Sequence, residues 1–262
     1  MIFVIDIGNT QIVVGLMDGS TRKDSFRLAT DRVKTAEEYA LLLHGICSMR
    51  GIDLKEVEGG ILSSVVPVLT PVLQDAIESL IGRRPLAVGA GVKTGLNLRV
   101  DNPGQLGSDR VVDAVAASAQ YKKPIFIVDM GTSTTVSVVG RDGSFLGGMI
   151  IPGLRVSVDA LSAMASQLPL NISLETPDKM IGTNTLSCMR SGVLYGAAAM
   201  LDGLVTRVEK ELGEPVTAVA TGGLGRLVVP LCRRDFSYDP DLLLKGLQIL
   251  YEKNRPVEEP AV

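Results

Sequence analysis

Residues 3–20 read FVIDIGNTQIVVGLMDGS, and residues 126–144 read FIVDMGTSTTVSVVGRDGS. Each stretch is an apolar run ending in Asp-x-Gly, then short polar residues, then a β-branched run, then Asp-Gly-Ser. Such runs specify strands, and the small polar segments between them specify turns. The leading aspartate recurs 123 positions on, Asp6 then Asp129, and the second copy is one residue longer up to its closing Asp-Gly. Repetition of this kind points to duplicated units. The expected fold is α/β: two copies of one β-fold facing each other across a cleft, with opposed Asp-Gly turns suited to a nucleotide phosphate and its cations.

The rest of the chain supplies helices and strands around these hairpins. Residues 2–7, 11–17 and 24–29 are expected as a first meander, and a second opens at Ile125. TAEEYALLLHGICSM (35–49) predicts an amphipathic helix with Thr35 as N-cap and Glu38 at the capping-box position. Residues 59–67 read as a short buried strand, 70–82 as a helix with Pro71 in its first turn, and 109–120 as a helix of small apolar residues. The boundary is expected near 117–122, which gives domains of 1–117 and 118–262. Beyond it, FLGGMIIPGLRVSVDALSAMASQLP predicts a glycine turn feeding a helix. Residues 171–185 read as an irregular loop, 189–213 as a long helix, 218–227 as strand, glycine turn and helix, and DPDLLLKGLQILYEKN as a last helix; a tail at 256–262 is expected to be disordered. Gly192, Gly196 and Gly203 share one stripe of the long helix. Each costs about 1 kcal/mol against alanine, so close approach of another backbone is the expected reason for them.

Bulk composition narrows the function. Of 262 residues, 46% are hydrophobic and 21% charged, with no Trp, 5 Phe and 5 Tyr, so the core must be aliphatic. A net charge of -3 lacks the basic face of a nucleic-acid binder. No apolar run approaches the roughly 18–20 residues that span a bilayer, and the apolar N-terminus is interrupted by Asp6, which reads as a strand rather than a signal peptide. Cys47, Cys188 and Cys232 are widely spaced and odd in number, which fits neither a disulfide framework nor a paired-cysteine metal site and points to a reducing cytoplasm. His44 is the single histidine and lies in a helical pattern, so histidine-based nucleophilic catalysis is set aside. P-loop and Rossmann signatures are absent.

Three clusters could do chemistry. Asp6-Ile7-Gly8-Asn9-Thr10 ends a strand and turns sharply; Gly8 permits positive φ and close approach of backbone N–H groups to an anion. A carboxylate beside a phosphate needs a cation between them, which makes Asp6 a candidate for magnesium. Asp129-Met130-Gly131-Thr132-Ser133-Thr134 is richer in hydroxyls and suits a weakly held monovalent cation as well as a phosphate. Gly107-Ser108-Asp109-Arg110 opens a helix. There Ser108 or Asp109 can serve as N-cap, but Arg110 stands where the helix dipole disfavours a cation and so awaits an anion, while Asp109 can orient a substrate hydroxyl and accept its proton. Residues 182–185 (GTNT) read as an N-cap and turn.

Taken together the chain resembles type III pantothenate kinases, of the acetate- and sugar-kinase, chaperone and actin superfamily. The resemblance runs over residues 1–255 through DIGNT (6–10), TDR (30–32), SSVVP (63–67), KTGLN (93–97), DNPxxxGSDR (101–110), DMGTSTT (129–135), GGMIIPG (147–153), LP (168–169), GTNT (182–185), SGVLYG (191–196), TGG (221–223) and LxLKGL (242–247). It implies two ribonuclease H-like domains and transfer of the γ-phosphate of ATP, with magnesium, to the primary hydroxyl of pantothenate on the way to coenzyme A. It further implies an ATP turn at Asp6, Ile7, Gly8, Asn9, Thr10, Gln11, Ile12 and Val13, with Thr132 a second ATP contact. Asp129 would hold potassium or ammonium. Gly107, Ser108, Asp109 and Arg110 would form the pantothenate clamp with Asp109 as general base, and Thr185 a further substrate contact. A cytoplasmic homodimer is implied, which matches the glycine stripe. The chain departs from the family pattern at Val100, where tyrosine is usual and touches substrate, at Ser108 for alanine, and at Ser133 for alanine. Val100 supports one alternative, a non-catalytic paralogue acting as a regulatory accessory protein; a third reading is an ATPase of the same fold with another partner.

Overall fold

The computed structural model describes residues 1–170 and 172–255; the tail at 256–262 lies outside the described residues. The first hairpin forms as its pattern demands. Strands β1 (Ile2–Ile7), β2 (Gln11–Asp18) and β3 (Thr21–Ala29) make an antiparallel meander, and β4 (Gly60–Ser64) and β5 (Leu86–Ala87) extend it in parallel, giving the order β3-β2-β1-β4-β5. Phe3, Ile5 and Ile7 of β1 alternate onto one face and pack with Tyr39, Leu43 and Cys47 of α1 (Ala36–Met49) and Leu73, Ala76 and Ile77 of α2 (Leu69–Ile81). Helix α1 starts where expected: Thr35 accepts from Glu38 N, and the Glu38 carboxylate accepts from Thr35 N at 2.8 Å. Strand β4 stops three residues short of the expected Pro67. Ser64 Oγ both accepts from Val66 N and donates to Val66 O, and this local turn replaces the ladder.

The second sheet repeats this plan. Strands β6 (Ile125–Met130), β7 (Ser133–Val139) and β8 (Phe145–Pro152) form the meander, and β9 (Thr217–Thr221) and β10 (Phe236–Tyr238) extend it, in the order β10-β9-β6-β7-β8. Here β6 stands in the place of β1, β7 of β2 and β9 of β4. The second copy's turn after its aspartate is one residue shorter, Gly131 and Thr132 against residues 8–10, and its closing turn is longer, residues 140–144 against Gly19 and Ser20. The glycine that feeds the next helix is Gly153, its N-cap; Gly147 and Gly148 lie inside β8, beside an irregular register at Val138 and Val139, and a glycine within a strand commonly accompanies such a bulge. Helix α4 (Leu154–Met164) follows directly. Helix α5 (Thr185–Leu212) begins four residues before the expected Met189, because Asn184 accepts from Ser187 N while Ser187 Oγ accepts from Asn184 N. Its Leu194, Leu201 and Val205 pack with Phe126 and Val128.

The chain does not divide once, near residue 117. One compact unit comprises Met1–Gly95, Asn102–Ala116 and the chain from Leu243; the other comprises Leu96–Asp101 and Ala117–Leu242. Segment 96–101 joins the second unit because Leu98 bridges Phe145 and Arg99 N donates to Phe145 O at 2.8 Å. Helix α7 (Leu242–Asn254) joins the first because Leu244 fills the space that a Cβ on Gly15 would occupy, and Gly246 lies against the carbonyl of Val112 on α3 (Ser108–Gln120). Both excursions are made by tertiary contacts between residues distant in sequence. No described helix is long and apolar enough to cross a membrane.

Candidate active site

Asp6 lies one residue before the end of β1, across from Val13 on one side and Ser63 on the other. Cross-strand partners share a face, and Ser63, fully buried, donates its hydroxyl to Asp6 Oδ1. Asp6 retains some exposure, yet desolvation is the largest influence on its carboxyl. Burial pushes it up to about 7, the Ser63 hydrogen bond opposes the rise, and the charge of Asp109 adds to it. A carboxylate so placed gains from a nearby cation.

The turn after β1 is braced from behind. Gly8 N donates to Gln11 O at 3.0 Å, Thr30 N to Thr10 O at 3.1 Å, and Thr30 Oγ1 to Gly8 O at 2.7 Å. The sequence suggested a positive φ at Gly8, but Gly8 is absent from the left-handed glycines. A Cβ there would stand 2.9 Å from Gln11 O, so the turn's tightness excludes a side chain. Asn9 and Thr10 are exposed at the tip, whereas Ile7 and Ile12 are fully buried, which leaves those two only backbone groups to offer a ligand.

The start of α3 is tied to the same strand ends. Ser108 is no N-cap: its Oγ accepts from Ser64 N and donates to Ser64 O, both at 3.1 Å. Ser63 and Ser64 thus act in succession, the first on Asp6 and the second on the helix that carries Asp109. Arg110 N donates to Asp109 Oδ1 at 2.8 Å. Among the described residues no donor reaches Asp109 Oδ2. The carboxylate folds back over Gly107, where an added Cβ would meet Oδ1 at 2.4 Å. Arg110 is half-buried; desolvation lowers its basicity and the Asp109 charge partly restores it. A guanidinium short of solvent favours an anionic ligand.

In the second unit Asp129 is the counterpart of Asp6. Its cross-strand neighbours are Thr135 and Thr221, so a carboxylate is flanked by two hydroxyl-bearing residues. Gly222, at φ +85°, presses on it: a Cβ would lie 2.3 Å from Asp129 Oδ1 and 2.6 Å from Met130 N. Thr132 is exposed in the two-residue turn, whose backbone Gly153 approaches so closely that a Cβ there would meet Thr132 O at 2.1 Å. Val100 and Thr185 also belong to this unit, Val100 half-buried on the segment bound to β8 and Thr185 exposed as the first residue of α5.

Ser63 and Ser64, which the sequence analysis quoted within SSVVP without a role, are brought by the structure to Asp6 and to the start of α3. The signal that finds them is the duplication, since Ser63 holds the register position beside Asp6 that Thr221 holds beside Asp129. Among the described residues no three His, Cys, Asp or Glu side chains gather as a metal site. Single carboxylates at Asp6 and Asp129 fit cations that keep most of their ligands as water and substrate oxygens.

Two sheets of matching order, each with an aspartate at the end of its central strand, define the fold of the actin-like ATPases and sugar kinases. The activator of 2-hydroxyisocaproyl-CoA dehydratase from Clostridium difficile, solved with bound ADPNP, superposes with a TM-score of 0.54 at 12% identity over 100% of this chain and 99% of that one. A ROK family glucokinase from Streptomyces griseus, in complex with glucose and AMPPNP, gives 0.52 at 16% identity over 95% and 98%. The sequence model of the type III pantothenate kinases matches residues 2–207. The type III pantothenate kinase of Moorella thermoacetica is 44% identical over 254 residues, covering 97% of this chain and 100% of its relative. The chain belongs to the type III pantothenate kinase family.

Proposed function

We propose that the chain performs the reaction its family is named for: phosphorylation of pantothenate with ATP as donor, the first step of coenzyme A biosynthesis, with Asp109 as general base. The observation that carries the base assignment is the Asp109 carboxylate, held by Arg110 N at one oxygen and open at the other, beside a half-buried Arg110. Arg110 binds the pantothenate carboxylate, with Gly107 and Ser108 shaping the clamp and Thr185 and Val100 as further substrate contacts. Asp109 orients the substrate hydroxyl and takes its proton as the oxygen bonds to the γ-phosphorus. The bond from that phosphorus to the bridging oxygen breaks, and ADP leaves with the electron pair. Phosphoryl transfer has a loose transition state, so positioning and charge neutralisation dominate. Residues 6–13 and Thr132 hold the nucleotide. Asp6 fits magnesium, which neutralises phosphate charge when bound; Asp129, with Thr135 and Thr221, fits potassium or ammonium.

We further assign a cytoplasmic homodimer. Of the glycine stripe, Gly203 lies against Arg207 of its own helix, where a Cβ would stand 3.0 Å from the guanidinium, whereas Gly192 and Gly196 lie exposed along α5 with Ala199, and a Cβ on either glycine would meet nothing within 4 Å. The chain's own described atoms do not account for Gly192 and Gly196, and the close approach of a second copy would.

The deciding experiment is coupled ADP release from magnesium-ATP, with and without pantothenate, in potassium, ammonium and sodium buffers. Pantothenate-dependent release that requires potassium or ammonium is expected. Folded protein without pantothenate-dependent turnover in any buffer refutes the kinase reading; equal rates in all three refute the monovalent site.

A further inference from the structure

The segment after β3 contains a cation that the reaction described above does not use. Thr30 ties this segment to Gly8 and Thr10. Asp31 is anchored in turn, its N–H donating to Tyr39 Oη at 3.0 Å and its carbonyl accepting from that hydroxyl at 2.8 Å, while Tyr39 is fully buried. The next charged residues behave differently. Lys34 is paired with Asp31 at 2.9 Å. Arg32 is exposed, and its Nη2 donates to Asn9 Oδ1 at 3.0 Å, at the tip of the nucleotide turn. Among the described residues Arg32 forms no ion pair. A guanidinium carries five N–H donors in a rigid fork. One is spent on a neutral amide, which fixes direction without cancelling charge.

The electrostatics of the first unit call for such a group. Asp6 and Asp109 already place two carboxylates in this unit, and a nucleotide triphosphate adds more negative charge. Arg110 is committed to the acceptor's carboxylate. We propose that Arg32 is a further catalytic residue: its guanidinium, aimed by Asn9, contacts the terminal phosphoryl oxygens of the nucleotide and neutralises charge there during transfer. This rests on the reading of residues 6–13 as the nucleotide turn. An arginine contacting the transferred group is worth far more in the transition state than in the ground state, and lysine, a point charge, replaces it only in part.

The test compares Arg32→Ala, Arg32→Gln and Arg32→Lys with the parent in two measurements. The first is calorimetric binding of magnesium-ATP and magnesium-ADP without pantothenate. The second is kcat for pantothenate-dependent ADP release. Expected for Arg32→Ala and Arg32→Gln are an unchanged melting temperature, about tenfold weaker ATP binding with ADP binding within about twofold of the parent, and kcat lower by on the order of 100-fold; Arg32→Lys recovers part of both. Equal weakening of ATP and ADP makes Arg32 a brace of the turn, and no change in either makes it a solvated side chain. Both outcomes overturn the assignment. A parent inactive on pantothenate sinks the kinase reading alone, because the ATP-against-ADP comparison needs no acceptor.

Discussion

At Gly107 the missing side chain is occupied by a carboxylate. An added Cβ would stand 2.4 Å from Asp109 Oδ1 but 3.6 Å from its Cγ, so the obstruction is the end of a side chain that can swing aside. Gly107→Ala should therefore cost less than about 1 kcal/mol in stability, yet lower kcat at least about tenfold by moving the base; urea denaturation and steady-state kinetics on the same preparation separate the two effects. Asp6 makes a prediction with pH. Its folded value of about 7 lies above the 3.8 of an unperturbed aspartate, so the folded state holds a proton that the unfolded chain releases. The stabilisation is complete below 3.8 and is lost as pH rises through about 7. Metal-free Asp6→Asn carries no such charge and keeps an oxygen for Ser63. Its melting temperature should exceed the parent's by several degrees at about pH 8, with the gap closing towards about pH 4, while magnesium-ATP turnover is lost. A gap independent of pH would remove buried charge as the cause.

At the scale of elements, the two copies of one hairpin differ in what surrounds their aspartates. Asp6 has Ser63 beside it and a carboxylate, Asp109, within electrostatic reach; Asp129 has Thr135, Thr221 and the turn at Gly222. That turn admits no side chain on two counts, a φ of +85° and a Cβ 2.6 Å from the backbone of Met130. Backbone cannot swing aside as the Asp109 carboxylate can. Gly222→Ala should lower stability by more than about 2 kcal/mol and abolish the difference between potassium and sodium in activity. A variant with the parent's urea midpoint would show that the turn between Thr221 of β9 and the helix Gly225–Val228 yields more readily than its geometry indicates. The serine pair at the end of β4 belongs to this scale as well: the hydroxyl of Ser63 orders a carboxylate, and the backbone N–H and C=O of Ser64 pin a helix.

For the whole molecule, the exposed stripe of α5 is where assembly can be tested without touching either aspartate. A Cβ at Gly196 meets nothing within 4 Å, so Gly196→Arg leaves the chain's own packing alone. Sedimentation should find the parent at twice the chain mass and the variant at the single mass, with a monomer that still melts cooperatively. A variant that remains dimeric would place the contact elsewhere.

The sequence by itself determined the duplication, the strands around Asp6 and Asp129, the capped helix after Thr35, and the helix that opens at the Gly107–Arg110 stretch. All of these are local: alternation, turn chemistry and capping act over a few residues, and the repeat multiplies the signal. Only the tertiary structure decided the partners. That α7 packs against the first sheet depends on the space left at Gly15 and the contact of Gly246 with Val112, neither of which leaves a periodic trace. That Ser108 binds Ser64 instead of capping its own helix, that Ser63 holds Asp6, and that Arg32 reaches Asn9 all depend on register between strands and loops far apart in the chain. The same locality explains Gly8, whose residue type sequence analysis could flag but whose reason, a carbonyl 2.9 Å from an absent Cβ, is a distance that only the folded turn creates.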